Sequence, residues 1–350
     1  DLILFRHLRM TELCETIRIT VLQVKLFRQT EYIINNDRRK AIMKQAVIDI
    51  GSNSVRLTLY ETDGSRFKIL FREKIMAGLA GYVEDGALSE EGIGCACDSL
   101  LEFRQTLELL DISNTAVFAT ASLRNISNTA EALAEIEAAT GFCIEVISGE
   151  DEARLGYIGA MRELHFSVGA FVDVGGASTE VVTFENGDVG ASASFRVGSL
   201  ELYRSCVKNI LPGSGSIRRI EAKIKEEIDD RWSLPKEKIS PLICVGGTAR
   251  AILKIARKYY SLPDSCRSIS AKQLGGLYSR LLREDRAAVQ LILKTEAERI
   301  HTLIPGFAIL QHIFARFDAD EMIISSYGVR EGYLCQKLLK SNTFIPRAEN

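Results

Sequence analysis

From Met43 onward, short runs of β-branched and apolar residues alternate with longer stretches of helical spacing. AVIDI (46–50) and VRLTLYE (55–61) read as two strands around a Gly/Ser/Asn turn, and RFKILF (66–71) as a third. Residues 90–110 repeat apolar side chains at helical intervals, behind Ser89 as N-cap with acids in the first turn. TAVFAT then predicts a strand, NTAEALAEIEAAT a helix, FCIEVIS a strand and EDEARLGYIGAMREL a helix. Three strands followed by alternating helix and strand predict a mixed sheet covered by helices.

The pattern then restarts. GAFVDVGG (169–176), STEVVTFE (178–185) and VGASASFRV (189–197) again predict three strands with tight turns. SIRRIEAKIKEEIDD predicts a helix, PLICV a strand, TARAILKIARKYY a helix and EMIIS a late strand before a final helix. The two series set out two lobes, 43–167 and 168–350, divided near 164–168, with a C-terminal helix that can return to the first lobe. An internal repeat links them. Asp49, Gly51 and Ser54 recur with identical spacing as Asp173, Gly175 and Ser178, each set joining two β-rich runs.

Such β-turn-β elements carry chemistry. Gly51, Gly175 and Gly176 let the backbone turn tightly and approach a ligand. Ser52, Asn53, Ser54, Ser178 and Thr179 add hydroxyl and amide donors beside backbone N–H groups, and two facing loops of this kind can hold successive phosphates. Asp49 and Asp173 end apolar strands, where an ionised carboxylate is costly unless paired or metal-linked. Mg²⁺, which favours one or two carboxylates plus waters and phosphate oxygens, suits them. The plainer reading makes both aspartates turn caps and the glycines hairpin geometry. A third element, CVGGTARAI, runs an apolar strand into Gly246, Gly247 and a helix opened by Thr248. That junction is a phosphate site at a helix N-terminus, or simply a capped turn.

Composition narrows the field. The chain has 350 residues and a formal net charge of −2, so nothing advertises a nucleic-acid partner. Eight cysteines occur singly without CxxC spacing, and the four histidines do not join them, which argues against zinc and for a reducing, cytoplasmic setting. Residues 1–42 are apolar but repeatedly broken by charge, too broken for a membrane span or a signal peptide. They read as an extension ahead of Met43, or as an amphipathic helix docking on the body or a partner.

AVIDIGSNSVRLTLYE, FATASLR, EVISGEDEARLGYIGA, FVDVGGASTEVVTFENG, CVGGTARAI and PGFAILQHIF…YGVREGYL occur in an order that resembles the exopolyphosphatase/guanosine pentaphosphate phosphohydrolase (Ppx/GppA) family, over about residues 43–339. The resemblance implies an α/β fold of the actin-like ATPase superfamily: two ribonuclease-H-like lobes with mixed sheets and a cleft between them. It implies Mg²⁺-dependent removal of the terminal phosphate of polyphosphate, or of the 5′ γ-phosphate of the alarmone pppGpp in the stringent response, with a homodimer as the assembly. Asp49 and Gly51–Ser54 would form the first phosphate loop; Asp173, Gly175, Gly176, Ser178 and Thr179 the second. Glu150 in SGEDEAR matches an acidic position that would orient or deprotonate the attacking water, with Glu152 as neighbour. Read without the resemblance, Glu150 is a first-turn helix acid. Arg124 looks like the arginine beside the cleft.

The sequence departs from the family pattern at Asn125 and Ala121, where relatives carry an acid, at Met76 and Ala77, where they carry an arginine, and at Ala177, which replaces a glycine. The first two departures motivate an alternative: a sensor that binds alarmone or polyphosphate with weak turnover. A sugar or acetate kinase of the same superfamily is a third reading, opposed by the GEDEAR and VREG segments. A chain of two lobes is expected to favour short polyphosphates or an alarmone. Arg196, Arg204, Lys208, Arg218 and Arg219 either line a channel or cover solvated helix faces.

Overall fold

The computed structural model describes residues 42–339, apart from 65, 233–237 and 284; the expectation for 1–42 falls almost wholly outside the described residues. Met43–Ile50 (β1), Val55–Thr62 (β2) and Phe67–Ile75 (β3) form an antiparallel meander. A small hairpin, Val83–Glu84 (β4) with Ala87–Leu88 (β5), precedes helix Glu90–Leu109 (α1), whose N-cap Ser89 accepts from the Gly92 amide. Thr115–Ala119 (β6), Ala121–Arg124 (α2), Thr129–Thr140 (α3) and Ile144–Val146 (β7) complete the unit. The sheet order is β3-β2-β1-β6-β7, with β6 parallel to both β1 and β7.

Helix Gly149–Met161 (α4) leads to the second unit. Val168–Val174 (β8), Thr179–Glu185 (β9) and Asp188–Phe195 (β10) repeat the meander. Ser199–Cys206 (α5) and Ser214–Ile228 (α6) precede Leu242–Val245 (β11), Gly246–Tyr260 (α7), Ser268–Ser270 (β12) and Ala271–Leu281 (α8). Arg286–Glu296 (α9), Leu303–Phe317 (α10), Glu321–Ile324 (β13) and Val329–Tyr333 (α11) finish the described chain, the last running into a π-helical turn at Leu334–Leu338. The order β10-β9-β8-β11-β13 matches the first sheet strand for strand, with β12 added at its edge. Both units are ribonuclease-H-like, with strand senses repeated: antiparallel through the meander and parallel from β8 through β11 to β13, while the added β12 runs antiparallel to β13.

Strand periodicity explains how each sheet buries two faces. On β1, Ala46, Ile48 and Ile50 pack with Leu100 and Phe103 of α1 and Ile136 of α3, while Val47 points the other way, toward Tyr60 and Phe118. On β8, Ala170, Val172 and Val174 join a core with α7 and α10, and Phe171 faces the opposite side. By the same alternation, Asp49 shares the face of Val47 and Asp173 that of Phe171.

Those second faces are covered by exchanged helices. Helix α4 precedes the expected division at 164–168, yet Ala153, Tyr157, Ala160 and Met161 pack on Phe171, Val182 and Phe184 of the second sheet. Conversely, Tyr333 and Leu334 pack on Val47 and Phe118 of the first sheet, with the Tyr333 and Phe118 rings stacked 4.8 Å apart. The two helices cross with backbones in contact. A Cβ at Gly159 would overlap the Gly328 carbonyl, and one at Gly332 the Leu155 carbonyl. Among the described residues no helix is long and apolar enough to cross a membrane.

Candidate active site

The two repeat loops face one small cavity of about 90 Å³ between the lobes. Their backbones match: the Gly51 amide donates to the Ser54 carbonyl at 3.1 Å, and the Gly175 amide to the Ser178 carbonyl at 2.9 Å. Each loop is tied back by a following segment. The Gly78 and Ala80 amides donate to the Asn53 and Ser52 carbonyls, and the Ser199 and Leu200 amides to the Gly175 and Gly176 carbonyls. With carbonyls occupied outside, the amide side of each loop is left for a ligand. An array of amides of this kind binds anions.

A third wall comes from the start of α7. Gly246 has φ +81°, the left-handed region, and a Cβ there would overlap the Asp173 carboxylate. Only glycine gives this junction both its turn and its contact. Gly247 is likewise packed against the Arg299 guanidinium, and Thr248 lines the cavity beside them.

Four acids converge here. Asp49 is buried, and burial first of all holds its carboxyl above the usual range against the pull of Arg56 and Arg330. Asp173 is raised for the same reason, opposed by Arg56 and Arg250. Glu152, on the first turn of α4, is pushed up to about 7 by burial, although Arg124 donates to its Oε2 at 2.8 Å. Glu180 on β9 is fully enclosed and raised by burial and then by Glu152; Ser194 donates to its Oε1 at 2.8 Å. Glu152 and Glu180 therefore hold a proton more readily than isolated carboxylates do.

Most of the expected residues meet at this cavity. Asp49, Gly51, Ser52, Asn53, Ser54, Asp173, Gly175, Gly176, Ser178, Gly246, Gly247 and Thr248 all line it. Three do not. Thr179 is turned into the protein, its hydroxyl donating to the Val197 carbonyl at 2.6 Å, so it holds β9 rather than a phosphate. Arg124 opens on a neighbouring cavity of about 540 Å³ and reaches the first one through Glu152. Glu150 is exposed in that neighbouring cavity, whereas Glu152 lines the central one. The reason is helical geometry. Residues two apart on a helix point about 200° apart, so only one of the pair can face the cleft.

Beyond Arg124, the arginines of the site were not anticipated. Arg56 sits opposite Asp49 in the β1–β2 register, and its Nε donates to Ser54 Oγ at 3.1 Å. Arg330 donates to Thr58 Oγ1 at 3.0 Å and is held above its ordinary value by Glu331 and Asp49, despite burial. Burial and nearby arginines lower Arg56 and hold Arg250 down to about 10. The available signal was positional: Arg56 interrupts an apolar strand, and Arg250 an apolar helix.

Comparison with known proteins follows the same outline. The sequence profile of the Ppx/GppA phosphatase family matches residues 58–341. The chain belongs to this family. Among curated Ppx/GppA relatives, a guanosine-5′-triphosphate,3′-diphosphate pyrophosphatase of Pseudoalteromonas translucida is 28% identical over 307 residues; the match takes in 84% of this chain and 59% of that protein. A putative exopolyphosphatase of Haemophilus influenzae is 25% identical over 304 residues, covering 86% of this chain and 94% of the relative. The Ppx/GppA crystal structure from Aquifex aeolicus superposes with a TM-score of 0.70 at 25% identity, over 86% of this chain and 99% of that one. An exopolyphosphatase from Cytophaga hutchinsonii gives 0.73 at 21% identity, over 85% and 98%, and shares the fold.

Proposed function

We propose that the protein is a Mg²⁺-dependent phosphohydrolase that removes the terminal phosphate of inorganic polyphosphate or the 5′ γ-phosphate of pppGpp. The observation that carries this reading is the pair of Gly–Ser loops with matching backbone hydrogen bonds facing one cavity, with Glu152 beside them. Phosphoryl transfer to water needs in-line placement, neutralised equatorial oxygens and an oriented water. The loop amides and the Arg56 guanidinium can neutralise and orient a terminal phosphoryl group. Glu152, near 7, is placed to accept a proton from water, and Arg124 fixes its orientation.

The donor set fits Mg²⁺. Asp49 and Asp173 offer hard oxygen donors in one cavity, and after burial the charge of Asp49 adds to the upward shift of Asp173, a repulsion that a dication would relieve. When bound there, Mg²⁺ supplies charge neutralisation to phosphate oxygens.

The binding-only reading has one observation behind it: Ala121 lines the cavity and Asn125 the neighbouring one, and neither brings a carboxylate. Phosphate release from tripolyphosphate, long-chain polyphosphate and pppGpp, with Mg²⁺ or EDTA, separates the two. Metal-dependent release abolished by Glu152→Gln supports the hydrolase. Tight binding without release by the wild type overturns it and leaves the sensor.

A further inference from the structure

The outer cavity of about 540 Å³ lies behind the Glu152–Arg124 pair, with Arg124 on its side and Glu152 on the inner side, joined at 2.8 Å. It is built where the two units meet: Asn125 follows α2, Glu150 opens α4, and Ser192–Arg196 come from the end of β10. Ser178, in the second Gly–Ser loop, lines both cavities. The lining suits an anion. Arg124, Arg196 and Arg231 stand against a single acid, Glu150. Arg231 is paired with Glu227 at 3.0 Å, whereas among the described residues Arg196 makes no ion pair or side-chain hydrogen bond. Both bonds from Arg124, to the Ile147 carbonyl at 3.0 Å and to Glu152, leave from Nη1, so Nη2 is left to donate elsewhere. The Ser192 hydroxyl is buried and has no partner among the described residues. An unpaired guanidinium, a spare guanidinium nitrogen and an unpartnered hydroxyl are all donors, and phosphate oxygens accept from each of them.

The chemistry of the inner cavity says which anion arrives there. In-line displacement sets the attacking water and the leaving oxygen on opposite sides of the phosphorus. With Glu152 as base, the water stands on the Glu152 side and the shortened substrate departs on the other. The water proton passes to the Glu152 carboxylate, and the water oxygen bonds phosphorus as the bridging P–O bond breaks. The electron pair of that bond stays with the shortened substrate, and the proton on Glu152 leaves with the phosphate. The phosphate so formed is displaced toward the Glu152–Arg124 pair, with the rest of the substrate behind it. We infer that the cavity behind Arg124 is the exit port for inorganic phosphate, with Arg124, Arg196 and Ser192 holding the ion in transit, so that phosphate leaves while the shortened substrate keeps its place on the far side. The inference rests on the hydrolase reading for the chemistry of the inner cavity. Of the basic residues noted in the sequence, Arg196 lines this port, whereas Arg204 donates to the Gly81 carbonyl and Arg219 to the Cys206 carbonyl.

The test uses Ser192→Phe, which fills the port, and Arg196→Gln, which removes its unpaired charge; neither residue lines the inner cavity. With tripolyphosphate and Mg²⁺, rapid acid quench counts the bonds cleaved, and a phosphate-binding fluorescent reporter counts the phosphate set free. Cleavage in the first turnover should stay within about twofold of wild type in both variants, which also shows that they fold. Release should slow at least about fivefold in Ser192→Phe, leaving a burst of about one cleaved phosphate per site. Calorimetric titration with inorganic phosphate should show Kd about threefold or more weaker in Arg196→Gln, as expected for a lost charge-assisted contact. Release that keeps pace with cleavage in Ser192→Phe overturns the port. So does a KM for tripolyphosphate that rises in both variants with release unhindered, because substrate rather than product would then lie there. Equal phosphate affinity in wild type and Arg196→Gln overturns it without reliance on the bulky variant. Wild type that cleaves none of tripolyphosphate, long-chain polyphosphate and pppGpp, yet binds inorganic phosphate more tightly than Arg196→Gln, refutes the hydrolase reading alone and leaves the phosphate site standing.

Discussion

Replacing Glu152 with glutamine keeps the side-chain volume and one oxygen for Arg124, and removes the carboxylate charge together with the capacity to take a proton. The carboxyl stands at about 7 rather than 4.5, chiefly through burial, so it titrates within the physiological range. As a general base it works only when ionised, so wild-type kcat/KM should rise with pH and flatten above about 7. Loss of a positioned base costs on the order of 10²–10⁴ in rate, or roughly 3–5 kcal/mol of transition-state stabilisation. Glu152→Gln should fall by that amount and lose the acid limb. Glu150→Gln, exposed outside the central cavity, should keep activity within about threefold. Stability moves the opposite way. The folded state binds the Glu152 proton more tightly than the unfolded chain, so the wild type loses stability as pH rises from 4.5 to about 7. Above that it carries the full cost of a buried charge, a few kcal/mol by the ~1.4 kcal/mol per unit relation. The variant lacks this cost, so its melting temperature should gain on wild type between pH 5 and pH 8. Phosphate release across pH 5–9 and parallel thermal melts are the assays. Glu150→Gln losing as much as Glu152→Gln, or an acid limb that survives in Glu152→Gln, would refute the reasoning.

Other positions give sharp outcomes. Gly246→Ala forces a side chain into the left-handed region and against Asp173, so phosphate release should drop at least about a hundredfold while the melting curve shifts by only ~1–2 kcal/mol of stability. Gly159→Ala pushes a methyl group into the Gly328 carbonyl and should cost about 1–3 kcal/mol in denaturant unfolding, far more than an exposed Gly→Ala change in a helix. Thr179→Val removes the hydrogen bond to the Val197 carbonyl, so it should cost ~1–2 kcal/mol in chemical denaturation and leave KM within about twofold.

The repeat of Asp, Gly and Ser made the two loops legible because each position answers a local demand: a tight turn, a close backbone approach, an acid at a strand end. Strand and helix series were legible for the same reason, since β1 and β8 are buried on both faces and read as continuous apolar runs. What stayed hidden depended on long-range geometry. Glu150 and Glu152 are equally acidic and both lie in the first turn of α4, and only the docking of that helix decides which enters the cleft. Arg56, Arg299 and Arg330 come from three distant segments that meet only in the folded chain. Apolar spacing on α4 says that the helix is buried, not on which sheet, and it packs on the second sheet through Tyr157 while Leu155 reaches the first.

The exchange of helices also bears on how the chain must be made. Val47, Tyr60 and Phe118 are translated early and Leu155 of α4 joins them soon after, but the rest of their cover arrives only with Tyr333 and Leu334. The Tyr60 hydroxyl donates to a carboxylate of Glu331, 271 positions later. At synthesis rates of ~5–20 residues per second, the first sheet, complete at Val146, waits roughly 10–40 s with one apolar face only partly covered. A nascent chain in that interval has an exposed greasy surface and no partner of its own, so its yield in the cell should depend on chaperone supply more than its final stability would suggest.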